Sequence, residues 1–246
     1  TPATDGERLY VQFGHNGTAA LRFDGKVVWK QNKLKYSPVH GNGGSPIIVG
    51  DKVVFSCDGA DQQFLAALDK KTGNVAWKVD RKANPPRGFS FSTPQVIEVG
   101  GRQQIVSTGS SVVIGYDTGG KEIWRVKHGG YSVIPRPVFG NGLVYVATGY
   151  DTPALHAIKP EGSGDVTSSH VAWTVKQKVS HTPSLQLFDD CLFMVSDGGI
   201  ASCLDAKTGA VHWSERVQGA YSASPLYHDG KIYITNETGQ GTVLAA

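Results

Sequence analysis

The chain has 246 residues, 24 Lys and Arg against 21 Asp and Glu, a net charge of +3, and is 39% hydrophobic and 18% charged. That balance supports a sizeable core, and the scattered Lys and Arg form no basic face of the kind nucleic-acid binding needs. No apolar run reaches the roughly 18 residues of a membrane-crossing helix.

In chain order the sequence reads as short β-branched and aromatic runs divided by Gly, Asp and Asn turns. The unit over 45–81 is the clearest, with apolar runs at 45–49, 52–56, 63–68 and 74–79. Such a pattern predicts a four-stranded antiparallel meander. No stretch of about a dozen residues carries apolar spacing near 3.6, which excludes helical repeats. The same four runs recur over 1–30, 93–128, 136–177 and 182–217, the fourth unit carrying an insertion at 160–169. A sixth unit from Ser224 has two strands and the start of a third at Thr242 to Leu244.

Two markers keep the period. Trp29, Trp77, Trp124, Trp173 and Trp213 are spaced by 48, 47, 49 and 40 residues, and Pro2, Pro46, Pro94, Pro137, Pro183 and Pro225 open the first strands. Repeats of this length built from four strands predict an all-β propeller. About six blades are covered, the last incomplete, and the expectation is one domain over 1–246 forming an arc of a seven- or eight-bladed ring. Each blade has two apolar faces, so neighbours must stack to bury them.

The phrase from Ala67 to Trp77 returns at Cys203 to Trp213, and each letter has an architectural reading. Asp69 and Asp205 are expected to accept backbone N–H bonds in the turn with Thr72 and Thr208. Gly73 and Gly209 supply the positive φ of a tight hairpin. Trp77 and Trp213 are expected to wedge between blades, burial of each contributing roughly 2–3 kcal/mol. Asp117 with Trp124, Asp24 with Trp29, and Trp173 belong to looser copies.

Departures from the repeat are where function is sought. Ahead of the prolines stand Thr1, Ser45, Thr93, Thr182 and Ser224, but the fourth unit has Arg136, whose guanidinium suits a carboxylate or phosphate at the channel mouth. Loops on that face supply His40, Asn42, Phe89, Phe91, His128, Tyr131, His181 and Tyr221. The loops between second and third strands add Asp58, Asp61, Tyr150, Asp151, Asn236 and Glu237. Aromatics mixed with His, Arg and amides suit peptides, sugars or small anions. A carbohydrate-active reading needs two facing carboxylates, for which Asp58, Asp151 and Glu237 are the suppliers. The eight histidines show no metal-ligand spacing. Of the three cysteines, Cys191 and Cys203 fall on consecutive strands. Their counterparts in the second unit, Lys52 and Ala67, mark them as tolerant positions, and a bridge between them stays open.

The phrase A-x-D-x-x-T-G-x-x-x-W resembles the tryptophan-docking motif of the PQQ-type propellers, a group that includes quinoprotein alcohol dehydrogenases and BamB-like outer-membrane assembly lipoproteins. The likeness runs along essentially the whole chain. It implies a periplasmic or secreted protein, and either a quinone site or a binding scaffold. Quinoprotein dehydrogenases of this type carry adjacent cysteines beside the quinone and a calcium held by Glu, Asn and Asp; this chain has neither adjacent cysteines nor a dense acidic cluster. The expectation is therefore a non-catalytic binding propeller without a cofactor, for a protein or small-molecule ligand. The alternative is an oxidoreductase using PQQ and calcium.

Overall fold

The computed structural model describes residues 1–246. It has no α-helix, only a 3-10 turn at Gly14–Asn16. Blade one is β1 (Ala3–Thr4), β2 (Arg8–Gln12), β3 (Thr18–Arg22) and β4 (Val27–Gln31). Blade two is β5 (Ile47–Val49), β6 (Lys52–Asp58), β7 (Gln63–Asp69) and β8 (Val75–Asp80). Blade three is β9 (Gln95–Val99), β10 (Arg102–Gly109), β11 (Val112–Asp117) and β12 (Glu122–Lys127). Blade four holds β13 (Val138–Gly140), β14 (Leu143–Ala147) and β15 (Leu155–Ile158), then the two-residue β16 (Gly164–Asp165), then β17 (Val171–Val175). Blade five is β18 (Gln186–Phe188), β19 (Cys191–Val195), β20 (Ile200–Asp205) and β21 (Val211–Arg216), and blade six is β22 (Leu226–His228), β23 (Lys231–Thr235) and β24 (Gly241–Ala245). Apart from β16, which joins the sheet of blade three, every blade pairs its strands in sequence order as an antiparallel meander, as the apolar runs require.

Alternation along the second and third strands fills both faces of each sheet. On β6, Val53, Phe55 and Cys57 join Tyr10, Ala20 and Trp29 of blade one, whereas Val54 joins Ile105, Val112 and Ile114 of blade three. The period of two thus sends alternate residues into the two flanking seams. Five such apolar seams hold the six sheets together, and nearly all the core lies in them.

The outer ends of the seams are closed by tryptophan. Trp29 Nε1 donates to the Lys70 carbonyl at 3.0 Å, Trp77 Nε1 to that of Thr118 at 3.3 Å, and Trp173 Nε1 to that of Ala206 at 3.2 Å. Each acceptor lies in the third-to-fourth-strand turn of the next blade. Each indole also lies on the glycine of that turn. A Cβ built on Gly73 would fall 2.5 Å from Trp29, one on Gly120 2.8 Å from Trp77, and one on Gly209 2.8 Å from Trp173. The turns are shaped from within, because Asp69 Oδ1 accepts from the N–H of Lys71 and Thr72 and from the Thr72 hydroxyl. Asp205 does the same with Lys207 and Thr208. The bonds from the Thr hydroxyl and N–H hold both carboxyls below their usual range. Within its own blade each Trp faces a small residue: Ala20, Ala67, Gly115, Ala157 or Cys203, and a bulge follows that residue in all five blades.

The third seam departs from this pattern. Blade four spends its docking turn on the 160–169 insertion, which folds back so that β16 pairs in parallel with β12, Trp124 opposite Gly164 and Arg125 opposite Asp165. Val166 caps the seam. Trp124, fully buried, donates to Gln104 Oε1 at 2.8 Å, and Gln104 Nε2 donates to the Pro160 carbonyl at 3.3 Å.

The inner ends are joined by a relay of hydroxyls. The Thr1 amino group donates to Ser45 Oγ at 2.9 Å, and Ser45 N–H to Thr93 Oγ1 at 2.9 Å. Across blades four to six, Arg136 N–H donates to Ser184 Oγ at 3.2 Å and Ser184 N–H to Ser224 Oγ at 3.0 Å. Here the sequence register of blade five needs correction. Its relay residue is Ser184, not Thr182, and Leu185 rather than Pro183 takes the buried proline position, since β18 begins two residues after Ser184 as the other first strands do after theirs. Cys191 and Cys203 are joined in a disulfide with Cα atoms 5.8 Å apart, which resolves the open question about this pair. Diagonal neighbours on paired strands come within bridging range. Cys57 is free and buried.

Two outcomes are expected. Gly73→Ala combines a φ of +75° with the clash against Trp29, whereas Gly25→Ala has a φ of +82° but open space around it. Denaturant unfolding should show both variants losing about 1 kcal/mol or more to backbone strain, with a further loss of about 1–3 kcal/mol only in Gly73→Ala. Equal losses would refute the docking role. Thiol titration of the unfolded, unreduced chain should detect the Cys57 thiol alone, rising to all three cysteines after reduction.

Candidate functional site

Five aromatic rings from five loops run in line across one face. His40 lies in the β4–β5 loop, Phe89 in β8–β9, Tyr131 in β12–β13, Tyr150 in β14–β15 and His181 in β17–β18. Successive centroids are 5.9 Å apart from His40 to Phe89, 5.6 Å to Tyr131, 6.2 Å to Tyr150 and 5.3 Å to His181, the rings meeting edge to face or tilted. Phe91 branches from Phe89 at 6.0 Å toward the channel. Edge-to-face packing fixes each ring against the next.

The loops are held by their backbones. Tyr131 and Tyr150 form an isolated antiparallel bridge, Tyr150 N–H donating to the Tyr131 carbonyl at 3.0 Å. Ser132 N–H donates to the Phe89 carbonyl at 3.1 Å, and Phe91 N–H to that of Val133 at 2.7 Å. Gly149 is required here, because a Cβ would sit 2.0 Å from the Tyr131 carbonyl oxygen. Non-glycine residues with positive φ gather in these loops: His40 at 64°, Ser132 at 53° and Asp151 at 69°. Such backbone conformations cost free energy and persist only where the surroundings impose them.

Arg87 completes the stripe and is a residue that the sequence reading missed. Its guanidinium lies 4.6 Å from the Tyr131 centroid, donates to the Tyr131 hydroxyl and stands 3.8 Å from Asp151. The one available signal was the loop run Asn84, Pro85, Pro86, Arg87, which has no counterpart in other units.

The remaining candidates divide. Arg136 lies in the channel, where its guanidinium donates to Gln95 Oε1. Asn42 sits beside the stripe but is tied down, accepting from the Tyr36 hydroxyl at 2.9 Å and donating to the Gly44 carbonyl at 3.0 Å. Tyr221 is buried and donates to the Gln218 carbonyl. Asn236 is buried as the internal acceptor of its own turn, bonding the N–H groups of Thr238 and Gln240. Glu237 accepts from the Ser222 hydroxyl at 2.5 Å. The structure does not bring Tyr221, Asn236 or Glu237 into the stripe.

Asp58 is withdrawn from any chemistry. It is fully enclosed between blades two and three in a bidentate pair with Arg81, at 2.7 Å from Nε and 2.9 Å from NH2, with the Ser56 and Ser107 hydroxyls completing the network. Asp61 caps backbone N–H groups of Ser37 and Gln62. Of the three residues that could supply the two facing carboxylates of a carbohydrate-active site, only Asp151 and Glu237 stay accessible, and each already has a partner.

No three His, Cys, Asp or Glu side chains come together anywhere in the chain. The disulfide lies within the β19–β20 hairpin of blade five, its cysteines separated by 12 positions rather than adjacent.

Five four-stranded antiparallel meanders and a three-stranded sixth, Trp docking onto the next blade's turn glycine, and a loop face around a channel define a propeller of the PQQ-like type. A family model described as "Outer membrane protein assembly factor BamB" matches residues 1–127 and 163–246, and the chain belongs to that family. Among solved structures, BamB from Moraxella catarrhalis is similar over 100% of this chain and 69% of its own, with a TM-score of 0.68 and 14% identity. The quinohemoprotein alcohol dehydrogenase ADHIIG from Pseudomonas putida HK5 is similar over 95% of this chain and 50% of its own, with a TM-score of 0.66 and 16% identity. That of Comamonas testosteroni is similar over 98% and 62%, with a TM-score of 0.51 and 15% identity. At these identities the likeness is one of fold, and the chain spans half to two thirds of the length of the two dehydrogenases. Comparison with curated proteins gives no match. Residues 128–162, which the family model leaves unmatched, hold Tyr131, Arg136, Tyr150 and Asp151.

His128 precedes Tyr131 in the β12–β13 loop. Its Nδ1 accepts the Gly130 N–H at 3.1 Å, while Nε2 is enclosed without a partner, although part of the residue reaches the surface. Burial first, and the neighbouring His156 second, lower its pKa from 6.5 to about 4. With the folded value below the unfolded one, the unfolded chain takes up the proton first as pH falls. Stability is therefore undiminished above about 6.5 and lost between 6.5 and about 4, by roughly 3 kcal/mol in total. Denaturant unfolding at pH 7 and pH 4.5 should show this loss, and His128→Gln should flatten it. An unchanged pH slope in the variant would disprove the assignment.

Proposed function

We propose that this chain is a non-catalytic binding propeller whose loop face docks a protein partner, working in the periplasm or outside the cell and without a bound cofactor. The observation that carries the reading is the five-ring stripe, built from five separate loops and fixed by their backbone bonds. Pre-ordered aromatic and Arg side chains are the residues that dominate protein interfaces, because they bury large areas at small entropic cost. The main cavities lie elsewhere, at the outer rim of blades three and four, on blade one and in the channel. A flat stripe suits a protein surface better than a small molecule, which needs enclosure.

The comparisons support the same direction. The matching family is described by its role in outer-membrane protein assembly, and the structural neighbour BamB carries that name. The segment outside the family match supplies two of the five rings, which favours a partner particular to this chain.

A photocrosslinker placed at Tyr150 should trap a discrete protein adduct in the native envelope, and one placed at the distant Lys26 should not. With that partner purified, Tyr131→Ala and Tyr150→Ala should each weaken binding by about 30-fold, the size of an interface hot spot near 2 kcal/mol. Undiminished binding by both variants, or alcohol turnover dependent on PQQ and calcium, would overturn the reading.

A further inference from the structure

The channel holds an unneutralised charge. Two cavities of about 400 and 660 Å3 meet along it, sharing Thr1, Arg136, Ser184 and Ser224, and no aspartate or glutamate lines either one. Arg136 interrupts an otherwise hydroxyl-bearing ring at Ser45, Thr93, Ser184 and Ser224. Its fork of five N–H donors gives one bond to Gln95 Oε1 and meets no carboxylate. Arg87 differs, since it pairs with Asp151.

The hydroxyls add to this polarity. Ser184 Oγ accepts from Arg136 N–H, Ser224 Oγ from Ser184 N–H, and Thr93 Oγ1 from Ser45 N–H. The relay thus uses these oxygens as acceptors and leaves their O–H hydrogens free to donate. A guanidinium and a set of hydroxyl donors surround a space without a competing anion, and such a space concentrates negative charge.

We propose that the channel around Arg136 is an oxyanion-binding site, taking a carboxylate or phosphate group bidentately on the guanidinium with hydroxyl donors from the ring. Phe91 lines the same cavity and joins the stripe, so an anionic group at this site lies next to whatever covers the loop face. The site does not depend on the protein-docking reading.

The test is a titration with sodium succinate and, separately, sodium phosphate at low ionic strength, following heat and the Arg136 Nε–H resonance. Saturable binding of either anion is expected, the more potent one naming the chemistry, and added sodium chloride should weaken it. Arg136→Ser restores the hydroxyl found at this position in the other blades, so it should melt no lower than the wild type yet bind about tenfold more weakly or not at all. Arg136→Gln gives the same readout should the serine variant fail to fold. Tyr150→Ala should bind the anion normally, which separates this site from the docking surface. Absence of saturable binding for both anions, or binding that survives both Arg136 substitutions, overturns the proposal.

Discussion

Each of Trp29, Trp77 and Trp173 lies across the turn glycine of the following blade and hydrogen-bonds a carbonyl of that turn. This contact fixes the outer end of every seam it closes, and the hydroxyl relay fixes much of the inner boundary. A sheet held at both ends has little freedom to slide against its neighbour, and the apolar residues between then pack in one register. The loops inherit that precision. His40, Phe89, Tyr131, Tyr150 and His181 belong to five different loops, yet their rings meet within 6.2 Å because the sheets beneath them are positioned from both edges.

In the third seam the docking contact is replaced by other means. In blade four no turn glycine packs on Trp124, and the 160–169 insertion supplies a parallel strand beside β12, the Val166 cap and the Pro160 carbonyl for Gln104. Trp124 remains sealed, its indole N–H satisfied inside its own blade. The same region, residues 128–162, is outside the family match and contains the residues that set the face apart. A repeat under uniform structural demand has few free positions. Arg136 lies in the blade whose docking turn differs from the others.

Much of the fold was legible because the period repeats its instructions. Asp69, Thr72, Gly73 and Trp77 each act locally, through a turn or an adjacent blade, and local chemistry is readable from spacing. Arg136 stood out for the same reason, as the one cation in a ring of hydroxyls. Where the pattern was degenerate the reading slipped: Pro183 imitated a first-strand proline, and only the strand register showed that Ser184 and Leu185 hold those positions. Long-range pairings carried no sequence signal. Asp58 and Arg81 are 23 residues apart and meet in a sealed network, so an acid read as a loop candidate turned out to be structural. The side chains of Asn236 and Tyr221 are taken by their own loops, which spacing alone does not reveal.

The two cations near the loop face illustrate how one scaffold separates two kinds of recognition. Arg87 is neutralised by Asp151 and laid over Tyr131, so what it offers a partner is a flat, weakly hydrated surface continuous with the rings. Arg136 has no such partner and stands exposed beside hydroxyl donors at the channel, so what it offers is charge. Aromatic area discriminates by shape and is insensitive to salt, whereas an unpaired guanidinium discriminates by sign and is screened over roughly 10 Å at moderate ionic strength. Phe91, touching both regions, makes them one continuous surface.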